Sequence, residues 1–298
     1  MIIKYGIVDN NIDVTDICHT KMCNNNIIYI PQGDTNRSKY FGDPLVGILK
    51  SIFIINDLNE IEEYSHTKTI YIDITTNLIT CKDSKEIIEK LNGIHSKLKF
   101  DFGSLKDEYP EQIMATMYLT GNEKVLEIGG NIGRNSLVIG SILKEKYNTN
   151  FVSLESSKEI STQLIHNRDI NNLIFHVEPS ALSKRQLIQR VWETIESDVL
   201  LDGYHMVETK SLDELYSKYN IQFDTLVLDC EGAFYNILMD MPEILNNIKL
   251  IIMENDYWDI KKKNFVDDIL KKNGFYVDYK MEGGWGPCFD FFYEVWKK

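Results

Sequence analysis

The chain lacks any apolar run approaching the roughly 18 residues that mark a membrane span, and it lacks a basic surplus. Against 45 aspartates and glutamates stand 32 lysines and arginines, a formal net charge of -13. A nucleic-acid binder ordinarily presents a basic face that neutralises phosphates and releases counterions. Neither nucleic acid nor membrane is therefore an expected partner. The short basic run Lys261–Lys263 reads as the solvated face of a helix. Cysteine is scarce and odd in number, with five residues in a chain too large to need disulfides, so reduced thiols in a cytosol-like compartment are expected. Cys18 and Cys23 flank His19, but zinc takes about four ligands, and no second Cys or His pair follows at ligand spacing. The opening Met-Ile-Ile-Lys-Tyr-Gly-Ile-Val-Asp turns polar too early for a secretory apolar region. A cytoplasmic location is the expectation. Repeats and low-complexity stretches are lacking too, and the heavy use of Ile, Asn and Lys reads as coding in AT-rich DNA.

What is present is an ordinary globular composition, 43% hydrophobic and 26% charged over 298 residues. That length holds one large or two modest domains, since domains mostly run about 100 to 200 residues. From about residue 123, short apolar runs alternate with helical patterns, the mark of a parallel sheet wound with helices. Strands are predicted at Lys124–Ile128, Asn150–Glu155, Leu173–Val177, Met206–Thr209, Thr225–Asp229 and Leu250–Glu254. Helices are predicted at Asn135–Lys146, Lys158–Asp169, Leu212–Tyr219 and near Lys262–Lys272, with Ser183–His205 less regular. Phe275–Tyr279 and Phe289–Val295 can pair as a terminal hairpin. Glu108–Thr120 reads as an amphipathic helix leading into the first strand. The first hundred residues differ: strand-like runs at Ile27–Ile30, Ser51–Ile55 and Thr69–Ile74 and a helix at Ser84–Asn92 suggest a small α+β module. The boundary is expected near Lys99 to Lys106, where Gly103 and several charges interrupt the pattern.

In an open α/β sheet, ligands bind beyond the carboxyl ends of the strands. The first such turn is Glu127-Ile128-Gly129-Gly130-Asn131-Ile132-Gly133. Glycines let backbone approach a ligand, and the helix N-terminus beyond offers unpaired N–H groups to an anion. Such a turn alone also fits a tight bend or a dinucleotide loop. The next strand ends in Glu155, a carboxylate that can accept both ribose hydroxyls of an adenosine. That feature fits a nicotinamide dinucleotide as well as S-adenosylmethionine. The order Gly-Gly-x-x-Gly after an acid, rather than Gly-x-Gly-x-x-Gly, argues against the dinucleotide.

The segment Val125-Leu-Glu-Ile-Gly-Gly-Asn-Ile-Gly-Arg-Asn-Ser136 resembles the first motif of the FkbM family of methyltransferases. Leu154-Glu155-Ser156 resembles its ribose-binding segment, Thr209–Asp213 its Thr-Leu-Asp segment, and Phe223–Ala233 its Asp-x-Glu-Gly signature. Ile251-Ile-Met-Glu254 is similar to its fifth strand. Together these motifs cover about residues 108 to 298 in order. The resemblance implies a class I methyltransferase fold over residues 101 to 298: Rossmann-like, with a mostly parallel seven-stranded sheet ending in an antiparallel hairpin. It implies S-adenosyl-L-methionine as cofactor, with Glu127, Gly129, Gly130, Asn131 and Gly133 at the methionine end and Asn135 and Ser136 as carboxylate partners. Glu155 and Ser156 would take the ribose, Ser180 and Ala181 the adenine, and Asp229 the cofactor ammonium. One departure stands out: the family commonly follows Glu-Gly-Ala with a second glutamate, and this chain has Phe234.

Methyl transfer from a sulfonium needs an aligned nucleophile and, for a hydroxyl, a group to take its proton. Asp229, Glu231 and Glu254 are the candidate catalytic residues. Two close carboxylates either raise one another's pKa or hold a divalent cation, which the sequence allows without requiring; a bland alternative has Glu231 capping the next helix. Asn255-Asp256-Tyr257-Trp258 and the loop around Trp285 are candidate acceptor surfaces, and His176 and His205 lie near strand ends. The resemblance implies an O-methyltransferase acting on a sugar or glycan hydroxyl, with an amino-sugar N-methyltransferase or a non-catalytic scaffold as alternatives. In residues 1 to 100, Asp13–Cys18 and Tyr40–Ile54 resemble an N-terminal segment of giant DNA virus proteins, which implies a host cytoplasm. Its polar turns, Gln32–Arg37 and Gly42–Pro44, could serve a partner or a homodimer contact.

Overall fold

The computed structural model describes residues 1–24, 26–191 and 193–298. The chain divides into two compact units, Met1–Lys90 and Leu91–Lys298. No helix among the described residues is long and apolar enough to cross a membrane.

The first unit holds two antiparallel four-stranded sheets. One runs Asn10–Asp13, Ile2–Ile7, Ser51–Ile55, Ile61–Tyr64, and the other Cys23–Asn24, Ile27–Ile30, Lys68–Asp73, Leu78–Asp83. Alternate positions of these strands turn inward, as a period of two requires, so that Ile3, Tyr5, Ile28, Ile30, Ile52, Ile54, Ile70 and Ile72 form one core. The polar turns of this unit are internal struts. Gln32–Arg37 runs into a helix, Asp34–Phe41, whose Arg37 is buried and donates to the carbonyls of Pro31 and Lys68 at 2.9 and 2.7 Å. Lys50, also buried, bridges Asp34 and Asp43 at 2.7 and 2.8 Å.

In the second unit the strands are β1 (Val125–Ile128), β2 (Phe151–Leu154), β3 (His176–Glu178), β4 (Thr225–Leu228), β5 (Leu250–Glu254), β6 (Tyr276–Met281) and β7 (Tyr293–Lys297). They form one sheet in the order β3-β2-β1-β4-β5-β7-β6. All pairs are parallel except those of β7, which runs antiparallel to both neighbours. This is the mostly parallel, Rossmann-like arrangement that the class I resemblance implies, with the order reversing between β1 and β4. Both faces are covered, so the strands read as continuous apolar runs. Leu126, Leu226 and Ile251 face one core, while Val125, Val227 and Ile252 face the other.

The helices around the sheet are α1 (Tyr109–Tyr118), α2 (Arg134–Lys144), α3 (Lys158–Ile170), α4 (Leu212–Tyr219), α5 (Phe234–Asp240) and α6 (Ile260–Lys272). Local chemistry sets several of their ends. Ser157 caps α3, Ser211 and Glu214 form a reciprocal capping box on α4, and Asp259 caps α6. The Asp259 cap starts α6 ahead of the residues predicted for it.

Other predicted elements shift for packing reasons. Leu173–Val177 is not a strand throughout; β3 begins at His176, because Leu173 and Phe175 fill the core beside Leu137 and Val138 of α2 before the chain enters the sheet. The irregular stretch after Ser183 contains a three-stranded antiparallel sheet of Glu193–Glu196, Leu187–Arg190 and His205–Val207. The terminal hairpin forms, but Phe289 belongs to a 3-10 turn, Gly286–Phe291, rather than to β7. Lys263, expected on a solvated face, is fully buried.

Candidate active site

The carboxyl ends of β1, β2, β4 and β5 open into a cavity of about 1190 Å³ at the point where strand order reverses, the place where open α/β sheets bind ligands. Small-molecule pockets commonly span about 300 to 1,000 Å³, so this one has room for a cofactor and an acceptor together. Gly129, Asn131, Glu155, Ser156, Ser180 and Ala181 line it, together with the acids Asp229, Glu231 and Glu254.

Gly129 sits at φ 93°, and a Cβ there would meet the Asp229 carbonyl oxygen at 1.6 Å. Only glycine lets the turn after β1 lie this close to the end of β4. Asn131, at φ 44°, presents its backbone N–H to Glu155 Oε2 at 2.9 Å, while the Ser157 N–H donates to Oε1 at 2.8 Å. Burial pushes the Glu155 carboxyl up, and these two backbone donors oppose the rise. Oε1 also accepts from Ser156 Oγ at 3.4 Å, whereas Oε2 keeps a further lone pair, so the carboxylate is fixed in place without being used up. Ser180 Oγ, fully buried against the cavity, has no hydrogen-bond partner among the described residues.

Five residues expected at the cofactor do not line the cavity: Glu127, Gly130, Gly133, Asn135 and Ser136. Side chains alternate along β1, and Glu127 shares the Val125 side, beneath α2. There its Oε2 accepts hydrogen bonds from Ser153 Oγ, its register partner on β2, at 2.5 Å and from Ser136 Oγ. Burial raises the Glu127 carboxyl to about 7 against the pull of those hydroxyls. A Cβ on Gly130 would strike Ser153 Oγ at 2.1 Å, so this glycine makes room for the same cluster. Gly133, at φ 95°, starts α2, and Asn135 is buried in that helix. These residues shape the turn from below.

The acidic side is more crowded than the sequence suggested. Glu111, from the first turn of α1, is buried, and its carboxylate stands with those of Asp229 and Glu254, one oxygen of each lying within 4.8 Å of the others. Asp229 lies deep in the protein with one edge open to the cavity. Burial first, and then Glu108, Glu111, Glu231 and Asp256, push its pKa well up. Glu254 rises to about 11 through burial, a hydrogen bond shared with Glu111, and the charge of Asp229. Glu231 adopts φ 51° beyond β4 and is exposed at the mouth. It shares a hydrogen bond with Asp256, which raises it to about 8. Glu231 does not cap α5, whose N-cap position is Ala233 and carries no side-chain cap. Phe234, where the resembled family carries a second glutamate, is buried in the core.

Trp258 and Trp285 meet at the cavity rim, their ring centroids 4.0 Å apart at 40°. Of the tetrapeptide expected beside the acceptor, Asp256 and Trp258 line the cavity, whereas Asn255 and Tyr257 are buried beneath it. His176 packs on Tyr219 at 4.7 Å and His205 lies in the small antiparallel sheet; neither lines the cavity. Arg185, Arg190 and Gln189, from the stretch read as irregular, do line it.

No family model matches the sequence, and no curated protein matches it either. Among solved structures, the chain is similar to a putative O-methyltransferase from Klebsiella pneumoniae at 11% identity and TM-score 0.40, covering 72% of this chain and 88% of that one. It is similar to the O-methyltransferase from Bacillus cereus in complex with SAH at 16% identity and TM-score 0.39, covering 73% and 92%. A putative RNA methyltransferase from Pyrococcus horikoshii matches at 12% identity and TM-score 0.41, covering 72% and 96%. The strand order and the cavity, not these likenesses, carry the functional reading.

Proposed function

We propose that the Leu91–Lys298 unit is an S-adenosylmethionine-dependent methyltransferase that methylates a hydroxyl of a small carbohydrate. The observation that carries this reading is Glu155, held at the end of β2 by the N–H groups of Asn131 and Ser157 and open to the cavity beside the Gly129 turn. A carboxylate fixed there accepts a vicinal pair of ribose hydroxyls. The buried, unpartnered Ser180 Oγ next to Ala181 offers a hydroxyl where an adenine edge would lie, so the residues present fit an adenosyl group.

When bound, the cofactor supplies a sulfonium methyl, an electrophile displaced in line by a nucleophile. The chain's task is to hold, orient and take a proton. Gly129 and Asn131 bring backbone against the ligand, and Glu155 sets its ribose. The carboxylates beyond β4 and β5 stand where an acceptor hydroxyl approaches, and one of them receives its proton. The Trp258–Trp285 pair at the rim favours a ring with an apolar face, which supports a sugar as acceptor. Membership of the FkbM family rests on the motif residues Val125–Ser136, Leu154–Ser156, Thr209–Asp213 and Phe223–Ala233. Incubating the protein with isotope-labelled S-adenosylmethionine and a panel of sugars and nucleotide-sugars, then analysing the products by mass spectrometry, is expected to yield a methylated sugar. Methylation of a non-sugar acceptor alone would overturn the acceptor class, and no methyl transfer to any acceptor would overturn the reaction.

A further inference from the structure

Among the described residues, Glu111, Asp229 and Glu254 have no positive partner, unlike other acids of the cavity wall. Among the described residues, the basic side chains of the cavity wall are engaged elsewhere: Arg185 binds Asp240 and Glu196, Arg190 binds Glu193, and Lys262 lies over the Tyr235 ring. Arg134, behind the wall, is taken by Glu108 at 2.6 Å. Glu111, Asp229 and Glu254 meanwhile bring three carboxylate oxygens within 4.8 Å of one another. A second observation points to a ligand. Although Glu111 shares a hydrogen bond with Glu254 and Asp256 one with Glu231, the buried atoms Oε2 of Glu111 and Oδ1 of Asp256 have no partner among the described residues, on side chains from residues only 5% and 8% exposed. A buried carboxyl oxygen that meets no donor and no cation is costly, and several close together compound the cost.

We propose that Glu111, Asp229 and Glu254 bind a divalent cation of the hard, oxygen-seeking class, with Asp256 adding its charge from behind. Magnesium, manganese and calcium take oxygen ligands at about 2.0 to 2.6 Å, so oxygens that share such an ion lie no more than about 4 to 5 Å apart, a limit that these three oxygens meet. The donor set is all carboxylate, without nitrogen or sulfur, which disfavours zinc and copper. Three protein ligands leave positions open towards the cavity, where water or an acceptor hydroxyl completes the shell. Glu111 comes from α1, Asp229 from the end of β4 and Glu254 from the end of β5, so the ion would also tie the entrance helix to the sheet. The inference concerns the cavity of the proposed transferase but stands on the carboxylates alone.

The test is a titration of the full-length protein with Mn²⁺ near pH 8, monitored by electron paramagnetic resonance. One saturable Mn²⁺ per chain, displaced by Mg²⁺ or Ca²⁺, is expected, with affinity reduced about tenfold or more in Glu111→Gln and Glu254→Gln. Glutamine keeps the size of each side chain and can donate the hydrogen bond that a shared proton would supply, so both variants should keep the metal-free thermal midpoint. If they fail to fold, the wild-type midpoint decides: a rise with Mn²⁺ concentration supports the site and a flat response overturns it. Absence of saturable binding, or unchanged affinity in both folded variants, overturns the proposal and leaves a proton shared between Glu111 and Glu254. A protein that binds S-adenosylmethionine but no Mn²⁺ contradicts this inference only, and one that binds Mn²⁺ but not the cofactor contradicts only the transferase reading.

Discussion

Lys263 and Glu294 form a buried ion pair at 2.8 Å beneath the loop that follows β5. Glu294 also accepts from Asn255 Nδ2 and Trp296 Nε1, each at 3.0 Å, and Asn255 lies between the cavity residues Glu254 and Asp256. One pair thus anchors the backbone that places two acids of the site. Removing one partner leaves the other charged and buried, which costs about 3 to 5 kcal/mol. Lys263→Met should lower stability by that order in urea unfolding, and adding Glu294→Gln, which removes the charge but keeps an acceptor for Asn255 and Trp296, should recover part of the loss. A strictly additive double mutant would refute the coupling.

Glu127 makes stability depend on pH. Its folded carboxyl lies at about 7 through burial, above the roughly 4.3 of an unfolded glutamate. The native state therefore binds more protons across that window. Its contribution is fully present below about pH 4.3 and is lost as pH rises through about 7. The loss is on the order of 3 kcal/mol. Glu127→Gln, which keeps an acceptor for Ser136 and Ser153, should equal wild type near pH 4 and exceed it at pH 8. An identical pH dependence in the two proteins contradicts this account of the cluster.

Gly129→Ala places a Cβ on the Asp229 carbonyl and forces a left-handed backbone on alanine. The strain alone costs about 1 to 3 kcal/mol, and the clash adds to it. Gly42, at φ 77° with nothing near its Cβ, should lose only about 1 to 2 kcal/mol as alanine. Thermal unfolding of the two variants should separate them, with Gly129→Ala the less stable. Equal midpoints would show that the β1 turn yields freely.

Trp258 is 82% exposed and stacks on Trp285. Trp258→Ala should raise KM for the acceptor severalfold, keep kcat within about twofold and leave cofactor affinity unchanged, as expected when a purely binding contact is removed. A fall in kcat at constant KM would place this ring in the chemistry instead.

The sheet was legible because its strands are apolar on both faces and its turns carry glycine and acids at strand ends. The acidic cluster was only partly legible. Glu111 looks like any helical surface acid, yet it shares a helix with the buried Met114 and Ala115 and is itself buried; an acid on the apolar face was the available signal. Lys263 was hidden by its neighbours, since a run of three lysines reads as solvated whichever of them turns inward. Glu127 misled for a different reason. An acid before a glycine turn has the same pattern whether it faces a ligand or hides under a helix, and only its sharing a side with Val125 tells the two apart. In the first unit, strands such as Ile61–Tyr64, with Glu62 and Glu63 exposed, carry too little apolar alternation to stand out from turns.

Calorimetric titration of the protein with S-adenosylmethionine, repeated on Glu155→Ala, tests the central claim most directly. Saturable binding at one site per chain is expected, weakened at least about tenfold by the substitution while circular dichroism shows the fold retained, because a fixed, partly desolvated acceptor of two hydroxyls is lost. Absence of binding to the wild-type protein, or equal binding to the folded variant, would contradict it.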